Sequence, residues 1–260
     1  MTYLESALLG LVQGLTEFLP VSSSGHIQLG EALLGVDDTN SLSFTILVHS
    51  ATMLSTVVVF RNDIAGIFKG LFKGQRQELT FAAQVILSMI PAALVYVFFN
   101  EQLESFFGED LTLVGISLLV TAALLALTSI APGGDKPLSY GRALLIGIAQ
   151  AIAMLPGISR SGSTISTALY LGIDKTRATQ FSFLMVIPLI LGGTILDIVS
   201  VGDQPAGTIA TPAPILAVGF ATAFLAGLFA CRAMIGIVRK GKLWYFAVYC
   251  AVAGVLALLA

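Results

Sequence analysis

Apolar residues run in long blocks along this chain, at about positions 4–19, 42–60, 81–99, 111–131, 141–156, 181–200, 213–238 and 243–260. Blocks of roughly 17 to 25 apolar residues are what a lipid-spanning helix requires, and the apolar–polar alternation of a membrane β-barrel strand is not seen. Two blocks differ from the rest. Those beginning near residues 4 and 141 run into clusters of Pro, Gly and Ser, and each is followed by a short apolar piece, Ile27 to Val36 and Ile165 to Ile173. The pieces on either side of a break are too short to span. Each pair therefore predicts a re-entrant helical hairpin, and the other six blocks predict crossings.

The two breaks are related. GLVQGLTEFLPVSSSGH (Gly10 to His26) aligns without gaps with GIAQAIAMLPGISRSGS (Gly147 to Ser163) at an offset of 137, matching Gly10 with Gly147, Gln13 with Gln150, Ser22 with Ser159, Ser24 with Ser161 and Gly25 with Gly162. The offset persists at FTIL (from Phe44) and FSFL (from Phe181). A chain of two homologous halves follows, 1–131 and 141–260, within one membrane domain spanning 1–260. Each half holds one hairpin and three crossings. Three is odd, so the second half enters the membrane upside down, and inverted repeats of this build bring their broken segments together near the midplane.

Charge placement orients this topology. Arg61, Lys69, Lys73, Arg76, Lys136, Arg142, Lys175, Arg177, Arg239, Lys240 and Lys242 fall on one predicted side. The other side holds 35–43, 100–110 and 201–211, with Glu101, Glu104, Glu109, Asp110 and Asp203 but no Lys or Arg. The positive-inside rule then puts both termini and the mouth of the first hairpin outside, and the second hairpin enters from the cytoplasm. Glu5 and the lack of a basic leading stretch argue against a cleaved signal peptide.

Composition agrees with a membrane protein: 56% hydrophobic and 11% charged residues, with a mean hydropathy of +0.93. The net charge of -2 says little about partners, because in a membrane protein charge matters by location rather than by sum; a nucleic-acid partner is not expected. Cys231 and Cys250 lack metal-ligand or CxxC spacing and read as packing residues.

Serines at the restart of each hairpin are natural N-caps, and two helix N-termini converging inside the membrane make an anion site. Arg160 adds a planar fork suited to phosphate; at membrane depth its charge costs roughly 2.5 to 3.5 kcal/mol and needs a partner or ligand. The first hairpin carries Glu17, Ser23 and His26 where the second has Met154, Arg160 and Ser163. One hairpin thus offers acid, nucleophile and base, and the other offers the cation. Ser23 and His26 are three apart and share a helical face, so an imidazole can reach a hydroxyl. Thr164, four after Arg160, faces the same way. Simpler roles exist too: the serines also suit backbone groups freed by a break, Gln13 and Gln150 suit interhelical hydrogen bonds, and Arg160 suits a structural pair with Glu17. His49 reads as a hydrogen-bonded packing residue on a spanning helix, and Asp197 as solvated at the interface.

The stretches QGLTEFLPVSSSGH (Gln13 to His26) and LPGISRSGST (Leu155 to Thr164) closely resemble the two signature motifs of the undecaprenyl pyrophosphate phosphatases, the bacitracin-resistance family. The resemblance covers the chain in length and segment order. It implies removal of the terminal phosphate from undecaprenyl diphosphate, which regenerates the lipid carrier for peptidoglycan, and an inverted-repeat fold with its active site open to the periplasm. It also implies a divalent cation, magnesium or calcium. The family's important residues fall on Gln13, Glu17, Ser23, His26, Ser159, Arg160 and Thr164. Gln13 stands where many members carry glutamate, so Glu17 is the one acidic candidate ligand.

The expectation is an all-α polytopic protein of the bacterial inner membrane, an inverted-topology repeat with six transmembrane helices and two re-entrant hairpins. Ser23, His26, Glu17 and Arg160 are the candidate catalytic residues. Gln13, Ser22, Ser24, Gly25, Ser159, Ser161, Gly162 and Thr164 are the candidates for holding phosphate. A polyprenyl diphosphate and membrane lipids are the expected partners, and a homodimer is an open arrangement. The alternative from another class is a transporter or flippase of a phosphorylated lipid or anion, since that build is also a transporter build.

Overall fold

The computed structural model describes residues 1–36, 41–105, 111–131, 134–202 and 211–259. Glu109, Asp110 and Asp203, expected in outward loops, lie outside these residues, as do the side chains of Glu101, Glu104 and Asp197. The described residues are helical apart from turns, connections and a single bridge between Lys136 and Ile173. The first hairpin is α1 (Tyr3–Thr16) and α2 (Ser23–Leu34); the second is α7 (Tyr140–Ile152) and α8 (Arg160–Tyr170). Between them run α3 (Ser41–Val59), α4 (Arg61–Phe72), α5 (Arg76–Ser105) and α6 (Leu111–Leu127). After them come α9 (Lys175–Gly202), α10 (Ala213–Arg239) and α11 (Trp244–Leu259).

Local chemistry sets the helix ends. Thr2 and Glu5 form a reciprocal capping box at α1, with Thr2 N–H donating to Glu5 Oε2 at 2.8 Å, satisfying donors that a helix start leaves unpaired. α2 stops at Gly35, whose φ of +64° is the left-handed cap conformation that glycine adopts without steric cost.

Four helices among the described residues are long and apolar enough to cross a membrane: Arg76–Phe99, Leu111–Ile130, Lys175–Ile195 and Ala213–Arg239. The pair Phe44–Val59 and Arg61–Phe72, bent by 73°, makes a fifth candidate if taken as one span. α11 is apolar but has 16 residues, about 24 Å of helix. The outward surface is correspondingly greasy, with Ile86, Val97, Leu225, Phe229 and Leu256 all exposed. That suits a chain whose solvent is lipid, where apolar side chains lose nothing by facing out.

One expectation needs correction. Residues 61–72, which fall between the apolar blocks at 42–60 and 81–99 and are expected there as a basic connecting loop, form α4. Arg61 and Asp63 end the apolar run of α3, but the following segment still alternates polar positions with Ile64, Ile67, Phe68 and Phe72 at helical spacing. It folds as an amphipathic helix at an angle to α3 rather than as loop.

Packing places the hairpins. α1 lies against α10, and α7 against α5. Both approaches are close enough to require glycine: a Cβ on Gly10 would strike Thr222 and Gly219, and one on Gly147 would strike the backbone of Ser88. α3 packs on α9 and α10, α5 on α9, and α6 on α11. Phe44 and Phe181 are both buried, at equivalent positions of α3 and α9. The two breaks meet in the interior. A Cβ on Gly25 would lie 3.3 Å from Gly157 Cα, and one on Gly162 would lie 3.3 Å from the Pro20 side chain.

Candidate active site

Each hairpin restarts at a serine cap. Ser22 Oγ accepts from Gly25 N–H at 3.3 Å and lies 3.3 Å from Ser24 Oγ. Ser159 Oγ accepts from Gly162 N–H at 3.1 Å and lies 3.3 Å from Ser161 Oγ. The caps differ in backbone. Ser159 is extended (φ -73°), whereas Ser22 has φ +69°, a conformation rare and costly for a residue with a Cβ. Ser22 is the one non-glycine with positive φ among the described residues, so strain is concentrated at the first break. Ser161 Oγ donates across to the Leu19 carbonyl at 3.2 Å, tying one tip to the other.

At the centre is Glu17, just past the end of α1, with a side chain 6% exposed. Its two oxygens are divided between the hairpins. Oε1 takes the Arg160 guanidinium from the start of α8. Oε2 accepts from Ser23 Oγ at 2.6 Å and from Gln13 Nε2 at 3.0 Å. A carboxylate so deep in a membrane domain is tolerated only with partners of this kind, because desolvation of a lone anion costs several kcal/mol. Gln13 is fully buried and its Oε1 has no partner. Beside the cluster a small recess is lined by Glu17, Arg160, Thr52, Met53, Ser182 and Phe183. It is polar at the Glu17–Arg160 end and apolar towards Val186 and Ile190.

Glu17, Gln13, Ser23 and Arg160 are thus brought together, as their positions in the motifs suggested. The expected Ser23–His26 pairing is not what the fold builds. Ser23 donates to Glu17 instead, and His26 has both ring nitrogens in other bonds: Nδ1 lies 2.7 Å from the Ser22 carbonyl oxygen and Nε2 2.7 Å from Tyr249 Oη, with the two rings stacked. Ser23 is the first residue of α2 and reaches back over the break, while His26, almost a turn on, faces α11. Thr164 lies behind Arg160, donating to the Arg160 carbonyl at 2.9 Å and 2.6 Å from Ser182 Oγ, so it props the start of α8.

His49, expected as a hydrogen-bonded packing residue, makes such a bond from Nδ1 to the Thr45 carbonyl at 2.8 Å and also stands beside the cluster. Its Nε2 lies 3.8 Å from Glu17 Oε2. The missed signal is a polar stripe, Thr45, His49, Thr52 and Thr56, at helical spacing within an apolar span. Tyr249, the partner of His26, carried no comparable signal, since a tyrosine on a terminal apolar helix is ordinary.

For a divalent cation the donor set is poor. No group of three or more His, Cys, Asp or Glu able to hold a metal occurs among the described residues, and both oxygens of the one carboxylate in the cluster are engaged by donors. The residues do not by themselves enclose a resident divalent ion.

Residues 6–256 match the family described as bacitracin resistance protein BacA. The undecaprenyl-diphosphatase of Christiangramia forsetii is 53% identical over 264 residues, covering 100% of this chain and 98% of that protein. That of Parabacteroides distasonis is 52% identical over 262 residues, covering 99% and 98%. That of Oceanobacillus iheyensis is 39% identical over 262 residues, covering 97% and 94%.

Proposed function

The chain belongs to the bacitracin resistance protein BacA family, and from that premise we propose that it is a membrane undecaprenyl-diphosphatase, hydrolysing undecaprenyl diphosphate to undecaprenyl phosphate and inorganic phosphate. The observation that carries the reading is the cluster in which the first hairpin's hydroxyl and carboxylate meet the second hairpin's guanidinium. The diphosphate sits at the polar end of the recess, which Arg160 and Ser161 at the start of α8 line, with Ser23 joined to that end through Glu17. The prenyl chain leaves along Val186 and Ile190, between α3 and α9.

In this reading Ser23 is the nucleophile. Its Oγ attacks the terminal phosphorus while its proton passes to Glu17 Oε2, to which it already donates. The bond from the terminal phosphorus to the bridging oxygen breaks, and the lipid monophosphate leaves with the electron pair, its charge met by Arg160. Water then attacks the phosphoserine. Glu17 has by then shed the serine proton; it takes one proton from the attacking water and returns it to Ser23 Oγ as phosphate departs. His26 holds the first turn of α2 in place through Ser22 and Tyr249. Ser22, Ser24, Gly25, Ser159, Ser161 and Gly162 shape the two N-termini. No step is routed through a cation; magnesium or calcium would be bound chiefly by the substrate's own phosphates.

The check is direct. Brief reaction of the purified chain with a long-chain polyprenyl diphosphate labelled at the terminal phosphate, followed by acid quench, is expected to leave label on Ser23 and none on the Ser23→Ala variant. Label on His26, or full turnover by Ser23→Ala, would refute the assignment. A transporter of the same build would release no phosphate.

The six-crossing inverted repeat, 1–131 and 141–260, belongs to the same proposal. It is supported by matched contacts at the 137-residue offset: α1 on α10 mirrors α7 on α5, Gly10 mirrors Gly147, and Gly25 on Gly157 mirrors Gly162 on Pro20. With the basic loops inside, both termini and the cleft face the periplasm. Cys231 and Cys250 are buried, so single added cysteines report cleanly. Gln102→Cys is expected to react with an impermeant maleimide on intact cells, and Lys73→Cys only after permeabilisation. The reverse pattern would overturn the orientation.

A further inference from the structure

Glu17 has a fourth neighbour that the reaction above leaves unused. His49 Nδ1 lies 2.8 Å from the Thr45 carbonyl oxygen. A carbonyl only accepts, so Nδ1 carries a proton and donates it. Nε2 is then the nitrogen that can gain or lose a proton, and it stands 3.8 Å from Glu17 Oε2, the oxygen that also accepts from Ser23. Glu17 is 6% exposed and His49 27%, so the imidazole is the more accessible member of the pair. Thr52 and Met53, about one turn further along the same face of α3, line the recess. His26, by contrast, has both nitrogens engaged away from Glu17.

Among the described side chains, the charged groups facing His49 are Glu17 and, across that carboxylate, Arg160. α9 presents Thr194 to the adjacent Ser50; its Lys175 and Arg177 lie at its far end. α10 presents the Phe224 carbonyl to Ser55, and Arg232 and Arg239 lie beyond that level.

We propose that His49 is the proton relay of this site, acting through Glu17; the proposal rests on the phosphatase reading above. When Ser23 Oγ bonds to phosphorus and the lipid phosphate leaves, the serine proton sits on Glu17 Oε2. His49 Nε2 takes it, and Glu17 is again a carboxylate when water attacks the phosphoserine. The proton then passes from His49 to bulk water or to departing phosphate. At 3.8 Å the pair is beyond direct hydrogen-bond reach, so the handover runs through a water or a small closing movement.

The test is H49Q, which keeps a donor of similar reach but cannot change charge. H49Q is expected to lower kcat by about 10²-fold with KM within about threefold, and to accumulate label on Ser23 in the acid-quench assay, because Glu17 is still protonated when water should attack. The chain has two histidines, so H26Q is the matched control and builds up no such label, whatever its rate. H49Q with kcat within about threefold of wild type, or with no build-up of labelled Ser23, would overturn the relay. Should H49Q not fold, judged by its melt in detergent, H49N carries the same test. A wild type that releases no phosphate would instead sink the phosphatase reading itself.

Discussion

Replacing Glu17 by glutamine is expected to lower kcat for phosphate release by about 10² to 10⁴-fold while leaving KM unchanged or lower. The substitution keeps the shape of the side chain, and an amide oxygen can still accept from Ser23. It cannot take the serine proton. The KM direction follows from Arg160, which is tied to Glu17 in the free protein. With the carboxylate gone, the guanidinium is released to the diphosphate, and substrate binding no longer competes with an internal ion pair. Steady-state phosphate release across a range of polyprenyl diphosphate concentrations separates the two constants. A kcat within about tenfold of wild type would remove Glu17 as the base.

Arg160→Ala is the second large effect, with an expected loss of about 10³ to 10⁵ in kcat/KM, the scale seen when an arginine that stabilises phosphoryl transfer is removed. Arg160→Lys recovers only part of it, because an ammonium keeps the charge but not the planar two-bond fork. Stability separates the roles. Removing Arg160 leaves Glu17 nearly buried without its cation, and breaking such a pair costs about 3 to 5 kcal/mol; with Arg160 itself 22% exposed, the lower figure applies. The double variant Arg160→Ala/Glu17→Gln should therefore melt above Arg160→Ala alone and remain inactive. If it melts no higher than Arg160→Ala, the pair is not what holds the tips together. If Arg160→Ala keeps its activity, phosphate is not held by the second hairpin.

Much of this arrangement can be read from residue order. The breaks at Ser22 and Ser159 and the serine caps at them come from strings of residues close in sequence, where capping and helical spacing apply; the interhelical bonds that Gln150 suits are not made, since both its side-chain polar atoms are buried without a partner. The cross-hairpin partners Glu17 and Arg160 belong to two motifs at a constant offset. α4 was missed because a charged, 12-residue amphipathic stretch resembles a loop when only membrane-spanning length is being sought. His49 was missed because its neighbour Glu17 is 32 positions away, and a histidine on an apolar helix has a packing explanation until its partner is known.

Ser23 and His26 draw the line most clearly. Spacing of three puts two residues on one face of a helix, and by that rule they should work together. The rule holds inside a helix and fails at its first turn. There, Ser22 at φ +69° sets the direction from which the chain enters α2, Ser23 folds back onto the carboxylate before the break, and His26 goes with the helix towards Tyr249. By itself the sequence determined that the chain is helical and suited to lipid, that it breaks twice in related places, and which polar side chains stand at those breaks, because hydropathy and capping are local. Which hydroxyl faces which base, and that a histidine from α3 completes the cluster, only the tertiary structure decided, because those distances depend on how separate helices pack.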